Sequence, residues 1–262
     1  MLGLEFSLTA GDLVLLCLAA GLAGWVDAVS GGGGLLQLPA LLNVLPSDRP
    51  VEALATNKLA SVMGTSAATV TYTRAAKPDI RTALPMLLAA IVGSFAGAAI
   101  ASSIPAGIFR PIVIGLLVIA WFWTLLSPRM GAQDELRWQG RRKHYVVAVI
   151  AGFLIGAYDG MFGPGTGSFL LFLLVSVLGY SFLRASATAK VVNLGTNLAA
   201  LVVFGVTGSV LWLLGLVMGA CNLVGAVIGA RMAIAKGSQF VRGVFLVVVA
   251  LLIARLVWDT LG

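Results

Sequence analysis

The sequence predicts an all-α integral membrane protein built from two inverted-topology repeats, each a helical hairpin with a Gly-rich bend followed by three transmembrane helices. Three observations predict it. The 262 residues are 60% hydrophobic and only 10% charged, where soluble domains run at about 45–50% apolar and about 25% charged. The second half copies the first in a single gapless frame. The basic connections move by one helix between the two copies.

A mean hydropathy of +1.03 leaves more apolar surface than a water-soluble core of this length can hide. The excess must face lipid, which excludes a cytosolic enzyme, a secreted disulfide scaffold and a disordered chain. Cys17 and Cys221 stand alone in apolar runs, and His144 is the one histidine. No metal centre or cofactor motif follows from such a set. The net charge of +7 resides in short connections such as Arg137 to Lys143. Bases placed so mark cytoplasmic loops rather than a nucleic-acid surface. The start of the chain carries Glu5 and Asp12 but no basic n-region, so the first apolar run is expected to be retained.

A helical span takes about 20 apolar residues. Runs near that length lie at 8–29, 51–74, 82–102, 106–126, 144–161, 184–207, 210–230 and 238–258. Two shorter runs, 34–45 and 167–180, follow Gly31-Gly32-Gly33-Gly34 and Gly163-Pro164-Gly165-Thr166-Gly167. The polar interval 127–143 divides the chain into repeat 1 (1–126) and repeat 2 (144–262). Each short run, with the long run before it, forms the hairpin. Irregular backbone at membrane depth survives only inside protein or beside a wet cavity, so the glycine bends must be buried.

At a displacement of 132 positions Gly24 meets Gly156, Asp27 meets Asp159, Gly31 meets Gly163, Lys58 meets Lys190, Gly93 meets Gly225, Gly97 meets Gly229 and Arg110 meets Arg242. Rare residues matching in one frame establish an internal duplication, a known way to build secondary transporters. Arg74, Lys77 and Arg81 lie in a connection whose counterpart near 207–210 is uncharged; Arg231 and Lys236 lie in one whose counterpart, 102–106, is uncharged. With Lys and Arg kept in the cytoplasm, each copy crosses an odd number of times and the copies are inverted. The central interval then falls inside and both termini outside.

Lys58, Ser61 and Thr65 recur on one helix face, as do Lys190, Asn193 and Asn197. Two such stripes facing each other would hold an oxyanion by charge and several donors. The alternative is that the lysines snorkel to an interface or neutralise Asp27 and Asp159. Asn57, and on adjacent faces Thr56 and Thr188, are further binding candidates. The glycine bends, through Gly32, Gly33 and Gly34 and through Gly165, Thr166 and Gly167, would offer backbone N–H groups to the same anion; otherwise they only make tight turns. Asp27 and Asp159 interrupt apolar runs at a cost of about 2.5–3.5 kcal/mol on insertion scales. They are either proton-coupling groups or structural carboxylates. Gly93 with Gly97 and Gly225 with Gly229 are GxxxG helix-packing pairs. Trp121, Trp123, Trp138, Trp212 and Trp258 sit near run ends, where an interfacial belt is expected, and His144 is placed at the same level.

Taken together, Asp27-Ala-Val-Ser-Gly-Gly-Gly-Gly-Leu-Leu, Pro39-Ala-Leu-Leu, Ala55-Thr-Asn-Lys-Leu, Tyr158-Asp-Gly-Met-Phe-Gly-Pro-Gly-Thr-Gly-Ser, Gly229-Ala-Arg-Met and Lys236-Gly resemble the TauE/SafE sulfite-exporter family of bacterial membrane permeases, its YfcA-like branch above all. The resemblance implies an inner-membrane carrier that exports sulfite, organosulfonates or another small sulfur-containing anion. Alternating access between the inverted repeats is the expected mechanism, and a homodimer is compatible with it. The rival readings are an anion-selective channel and a permease for another small organic anion. No nucleophile–base pair argues for an enzyme.

Overall fold

The computed structural model describes residues 8–45, 50–100, 118, 122, 125–126, 133–138 and 140–261. Most of the run expected at 106–126, with Arg110, Trp121 and Trp123, the uncharged connection at 102–106 and the 127–132 stretch lie outside the described residues. No strand occurs among those described.

Helix α1 (Ala10–Ser30) opens on a Thr9–Asp12 capping box and ends at Gly31, in the left-handed region at φ 86°. After Gly32 and Gly33 the chain enters α2 (Gly34–Val44). At about 1.5 Å per residue, α2 is about 17 Å long, roughly half of a 30 Å hydrocarbon core. Helices α3 (Pro50–Ala75) and α4 (Ile80–Ile100) complete the described part of the first half. The second half repeats the order. Helix α5 (Arg142–Met161) leads through Gly163 and Gly165, both at positive φ, into α6 (Thr166–Phe172) and a π-helical turn (Leu173–Val177). Helices α7 (Phe182–Val206) and α8 (Trp212–Leu261) follow.

Among the described residues five helices are long and apolar enough to cross a membrane: α1, α4, α5, α7 and α8. Their exposed faces are stripes of large apolar side chains at helical spacing, such as Leu84, Leu88 and Val92 on α4 and Ile150 and Leu154 on α5. Such stripes suit lipid and not water. Helix α3 matches the expected 51–74 run in length but is less apolar. It takes Asn57, Lys58 and Thr65 into the interior, where packed neighbours rather than lipid surround them.

The last two expected spans, 210–230 and 238–258, form one 50-residue helix broken at Gly237 (φ 73°, ψ −166°). The break is a reversal. Gly229 lies against Trp25, and Val248 packs with Val26, the next residue of α1. A straight helix would hold 229 and 248 about 28 Å apart.

The halves interleave rather than sit side by side. Helix α1 packs along the first part of α8, and α5 packs along α4. Glycine makes these approaches possible. A Cβ at Gly93 or Gly97 would lie 2.2 or 2.1 Å from the carbonyl of Phe153 or Ala157, and one at Gly225 or Gly229 would lie 1.9 or 2.5 Å from that of Gly21 or Trp25. The second set is the first displaced by 132 positions. The same displacement relates Gly24 against the Asn222 carbonyl to Gly156 against the Ala90 carbonyl.

Candidate functional site

The two glycine bends cross each other in the middle of the protein. Ser168 N donates to the Gly31 carbonyl at 3.1 Å, and Ser168 Oγ donates to the Ser30 carbonyl at 2.9 Å. A Cβ on Gly31 would stand 2.1 Å from the carbonyl carbon of Gly167, so the two main chains touch where no side chain fits. Each bend is braced by a tyrosine, buried in the first case and half-buried in the second. The Tyr72 hydroxyl donates to the Ala28 carbonyl at 2.8 Å, and the Tyr158 hydroxyl donates to the Pro164 carbonyl. Thr166 Oγ1 closes the second bend on the Gly163 carbonyl at 2.8 Å.

Beside this crossing lies a small polar cavity. Its room for the centre of a water-sized sphere is about 20 Å³, where one water needs roughly 10–15 Å³, so the space in this conformation fits one or two waters. Its polar wall carries Asp27, Asn57, Lys58, Ser61, Thr65, Asp159, Thr166, Asn193 and Asn197, and the glycines at 31, 34, 163, 165 and 167 complete it. Gly163 makes room for the lysine, since a Cβ there would lie 2.9 Å from Lys58 Nζ.

The lysines pair across the halves. Lys58 Nζ is 2.8 Å from Asp159 Oδ2, and Lys190 Nζ is 2.8 Å from Asp27 Oδ2. The pairs are related by the displacement of 132. Their settings differ, however. Lys58 and Asp159 are both about 1% exposed, whereas Asp27 is 19% exposed. Lys58 also donates to Asn197 Oδ1 at 3.1 Å, and Asn197 reaches Asn193 at 3.4 Å. Lys190 donates both to the carboxylate and to the main-chain carbonyl of Asp27.

Most of the residues singled out from sequence therefore surround one cavity, but five do not. Lys190 lines a separate, smaller pocket with Ser30 and Ser186, and Gly31 and Gly167 border both spaces. The two lysines thus do not face each other across one space as the paired stripes suggested. Each crosses to a carboxylate of the other half, because a buried charge needs a partner within reach. Gly32 and Gly33 are also off the wall. A Cβ on Gly33 would meet the Ala23 carbonyl at 2.2 Å, so this glycine allows α2 to lie against α1. Thr56 Oγ1 accepts from Leu211 N at 3.2 Å, away from the cavity, and Thr188 Oγ1 is buried with no hydrogen-bond partner. Gly31, Gly163 and the bracing tyrosines were not singled out. The duplication aligned the two glycines, and Tyr158 adjoins Asp159, but no periodicity marked their role.

A second polar cluster joins the ends of the helices. The Tyr180 hydroxyl donates to Asp79 Oδ2 at 2.7 Å and lies 2.9 Å from Thr82 Oγ1, which is 3.0 Å from His144 Nε2. His144 Nδ1 donates to the Arg137 carbonyl at 2.9 Å. His144 is at the start of its span as expected, but buried by this network instead of lying at a wet interface. Arg184 pairs with Asp134 at 3.1 Å. Burial would raise the Asp79 carboxyl, but hydrogen bonds from Tyr180, Thr82 and the Arg81 amide, with the Arg184 charge, hold it below the usual carboxylate range. Burial likewise works against Asp134, and the Ser181 and Arg184 contacts outweigh it in the same direction.

An all-helical chain with several lipid-facing spans around a small, buried polar cavity is a multi-pass membrane transporter in form. The profile of the family described as Sulfite exporter TauE/SafE matches residues 16–256, and the chain belongs to that family of transporters, which are not enzymes. It is 37% identical to a probable membrane transporter protein, ORF9, of Sinorhizobium sp over 94% of this chain and 93% of that one. It is 35% identical to the probable membrane transporter protein YfcA of Escherichia coli K12, over 95% of this chain and 91% of that one. A probable membrane transporter protein of Haemophilus influenzae is 33% identical, over 95% and 96%. No solved structure matches the chain.

Proposed function

We propose that this protein is a secondary carrier of the bacterial inner membrane that exports small sulfur-containing anions, such as sulfite or organosulfonates, by alternating access. The observation that carries the reading is Lys58: a buried ammonium on the wall of a small cavity, surrounded by Asn57, Ser61, Thr65, Asn193 and Asn197 and by glycine bends. Charge with several converging donors in a water-poor space is what an oxyanion requires. Backbone N–H groups of the Gly34 and Gly165–Gly167 segments add to it. Asp27 and Asp159 stand where a coupling proton would be carried.

The inverted arrangement is supported by glycine contacts and lysine–aspartate pairs that recur at one displacement, together with basic connections that alternate between copies. On this topology the 127–143 linker is cytoplasmic. The two hairpins would rock as units against the longer helices, opening the cavity first to one side and then to the other.

Reconstituted protein decides the matter. Vesicles loaded with sulfite or taurine should take up labelled external anion by saturable exchange, and Lys58→Ala should abolish it in protein that remains folded. Unsaturable flux without exchange would make the protein an anion-selective channel. Preference for a carboxylate over every sulfur anion tried would make it a permease for another small organic anion.

A further inference from the structure

The group that now occupies the cation of the cavity is itself an oxyanion. Lys58 has three N–H donors; Asp159 Oδ2 lies 2.8 Å from its Nζ and Asn197 Oδ1 lies 3.1 Å from it. Among the described residues no group hydrogen-bonds to Asp159 Oδ2, whose contact with Lys58 is an ion pair. The carboxylate is therefore held on the cavity side by the charge of Lys58, in contrast to Asp79 and Asp134, which several donors fix in place. A sulfonate or sulfite oxygen seeking Lys58 must displace it.

Charge accounts for what happens next. The buried set Lys58, Asp159, Lys190 and Asp27 sums to zero. One added monoanion leaves an uncompensated negative charge in a medium that tolerates it poorly. One proton on the displaced carboxylate restores neutrality. Building on the carrier proposed above, we propose that Asp159 is a tethered competitor for the anion site, and that anion binding at Lys58 transfers one proton from water to the Asp159 carboxylate.

Asp27 is not equivalent to it. Its lysine lines the separate, smaller pocket, so an anion in the main cavity does not compete for that cation. The charged and titratable groups acting on the Lys58–Asp159 pair are Asp27 on α1, itself paired with Lys190 of α7, and Tyr158 on α5 itself. Helices α2 and α6 carry no titratable residue, and α4 has only Arg81, in its first turn. The loaded site is neutral, so anion and proton travel together in whichever direction their combined gradient points.

The test uses methanesulfonate, which stays ionised between about pH 5 and 8, so any pH dependence belongs to the protein. Detergent-purified protein in weakly buffered solution should take up one proton per anion bound, with affinity strengthening up to about tenfold per unit fall in pH. Asp159→Asn should bind at least about tenfold more tightly at neutral pH, with a flat pH profile and no proton uptake. Asp79→Asn, in the separate Tyr180–Thr82 cluster, should retain the uptake. Binding without proton uptake by the wild-type protein overturns the proposal whatever the variants do, and so does an Asp159→Asn variant with unchanged affinity and slope. Failure of wild-type protein to bind methanesulfonate, sulfite or taurine at all is a different result; it overturns the carrier reading on which the proposal stands.

Discussion

Lys58 and Asp159 lie 101 positions apart in the chain and 2.8 Å apart in space, each about 1% exposed and each supplied by a different half. Removing one member strands the other charge, at a cost of about 3–5 kcal/mol, whereas removing both does not. Lys58→Ala should therefore melt well below wild type, and adding Asp159→Asn should recover most of the loss without restoring anion binding. Thermal unfolding of the single and double variants, with binding measured beside it, checks this. Equal melting of the two variants would show that the pair contributes nothing as a pair.

Gly31 cannot be replaced. Its φ of 86° disfavours any Cβ, and the Gly167 carbonyl carbon would be 2.1 Å from one. The left-handed geometry alone costs about 1–2 kcal/mol, and the overlap is with main chain, which has no rotamer to change. Gly31→Ala should lower the melting temperature and abolish transport. Gly243→Ala, where nothing lies within 4 Å, serves as the control and should be neutral or slightly stabilising.

Leucine at Gly97 should force α4 away from α5, because a Cβ there already meets the Ala157 carbonyl at 2.1 Å. Leucine at Gly229 should do the same to α8 and α1, against the Trp25 carbonyl at 2.5 Å. Both variants should express poorly or melt early, and to a similar extent. Cross-linking of cysteine pairs placed along each interface would report the separation; undiminished cross-linking in the leucine variants would contradict it.

The Asp79 cluster makes stability depend on acid. A carboxyl held below its unfolded value, about 3.9, contributes stability that is present above that value and lost as pH falls through its folded one. The protein should therefore lose melting temperature as pH drops below about 4, and Asp79→Asn should flatten that part of the curve while lowering stability at neutral pH. Tyr180→Phe, which removes the 2.7 Å hydrogen bond to Asp79, should cost about 1 kcal/mol at neutral pH and lessen the acid dependence. An acid profile unchanged in Asp79→Asn would assign the effect to other carboxylates.

Much of the cavity wall was legible in advance because its residues are anomalies. Lys58, Asp159 and the hydroxyls one and two turns after the lysine interrupt apolar runs, and helical spacing puts the stripe on one face. Helix ends were legible from glycine and charge, down to the half-length helices after each bend. Lys190 was misjudged for a physical reason. Spacing shows which residues share a face but not which way that face points, and a long side chain reaches the nearest counter-charge rather than its symmetry mate. His144 was placed correctly along the chain and wrongly in depth, because Thr82, Tyr180 and the Arg137 carbonyl that bury it come from three distant segments.

By itself the sequence determined that the chain lives in lipid, that its halves are copies, and where most of its described helices start and stop. These follow from apolar content, rare residues in one frame and local backbone preference, all written along a single segment. Only the tertiary structure decided that the halves interleave, that each lysine takes the other half's aspartate, and that two bare main chains meet at Gly31 and Gly167. Those outcomes depend on which surfaces come within a few ångströms of each other, and no local pattern encodes that distance.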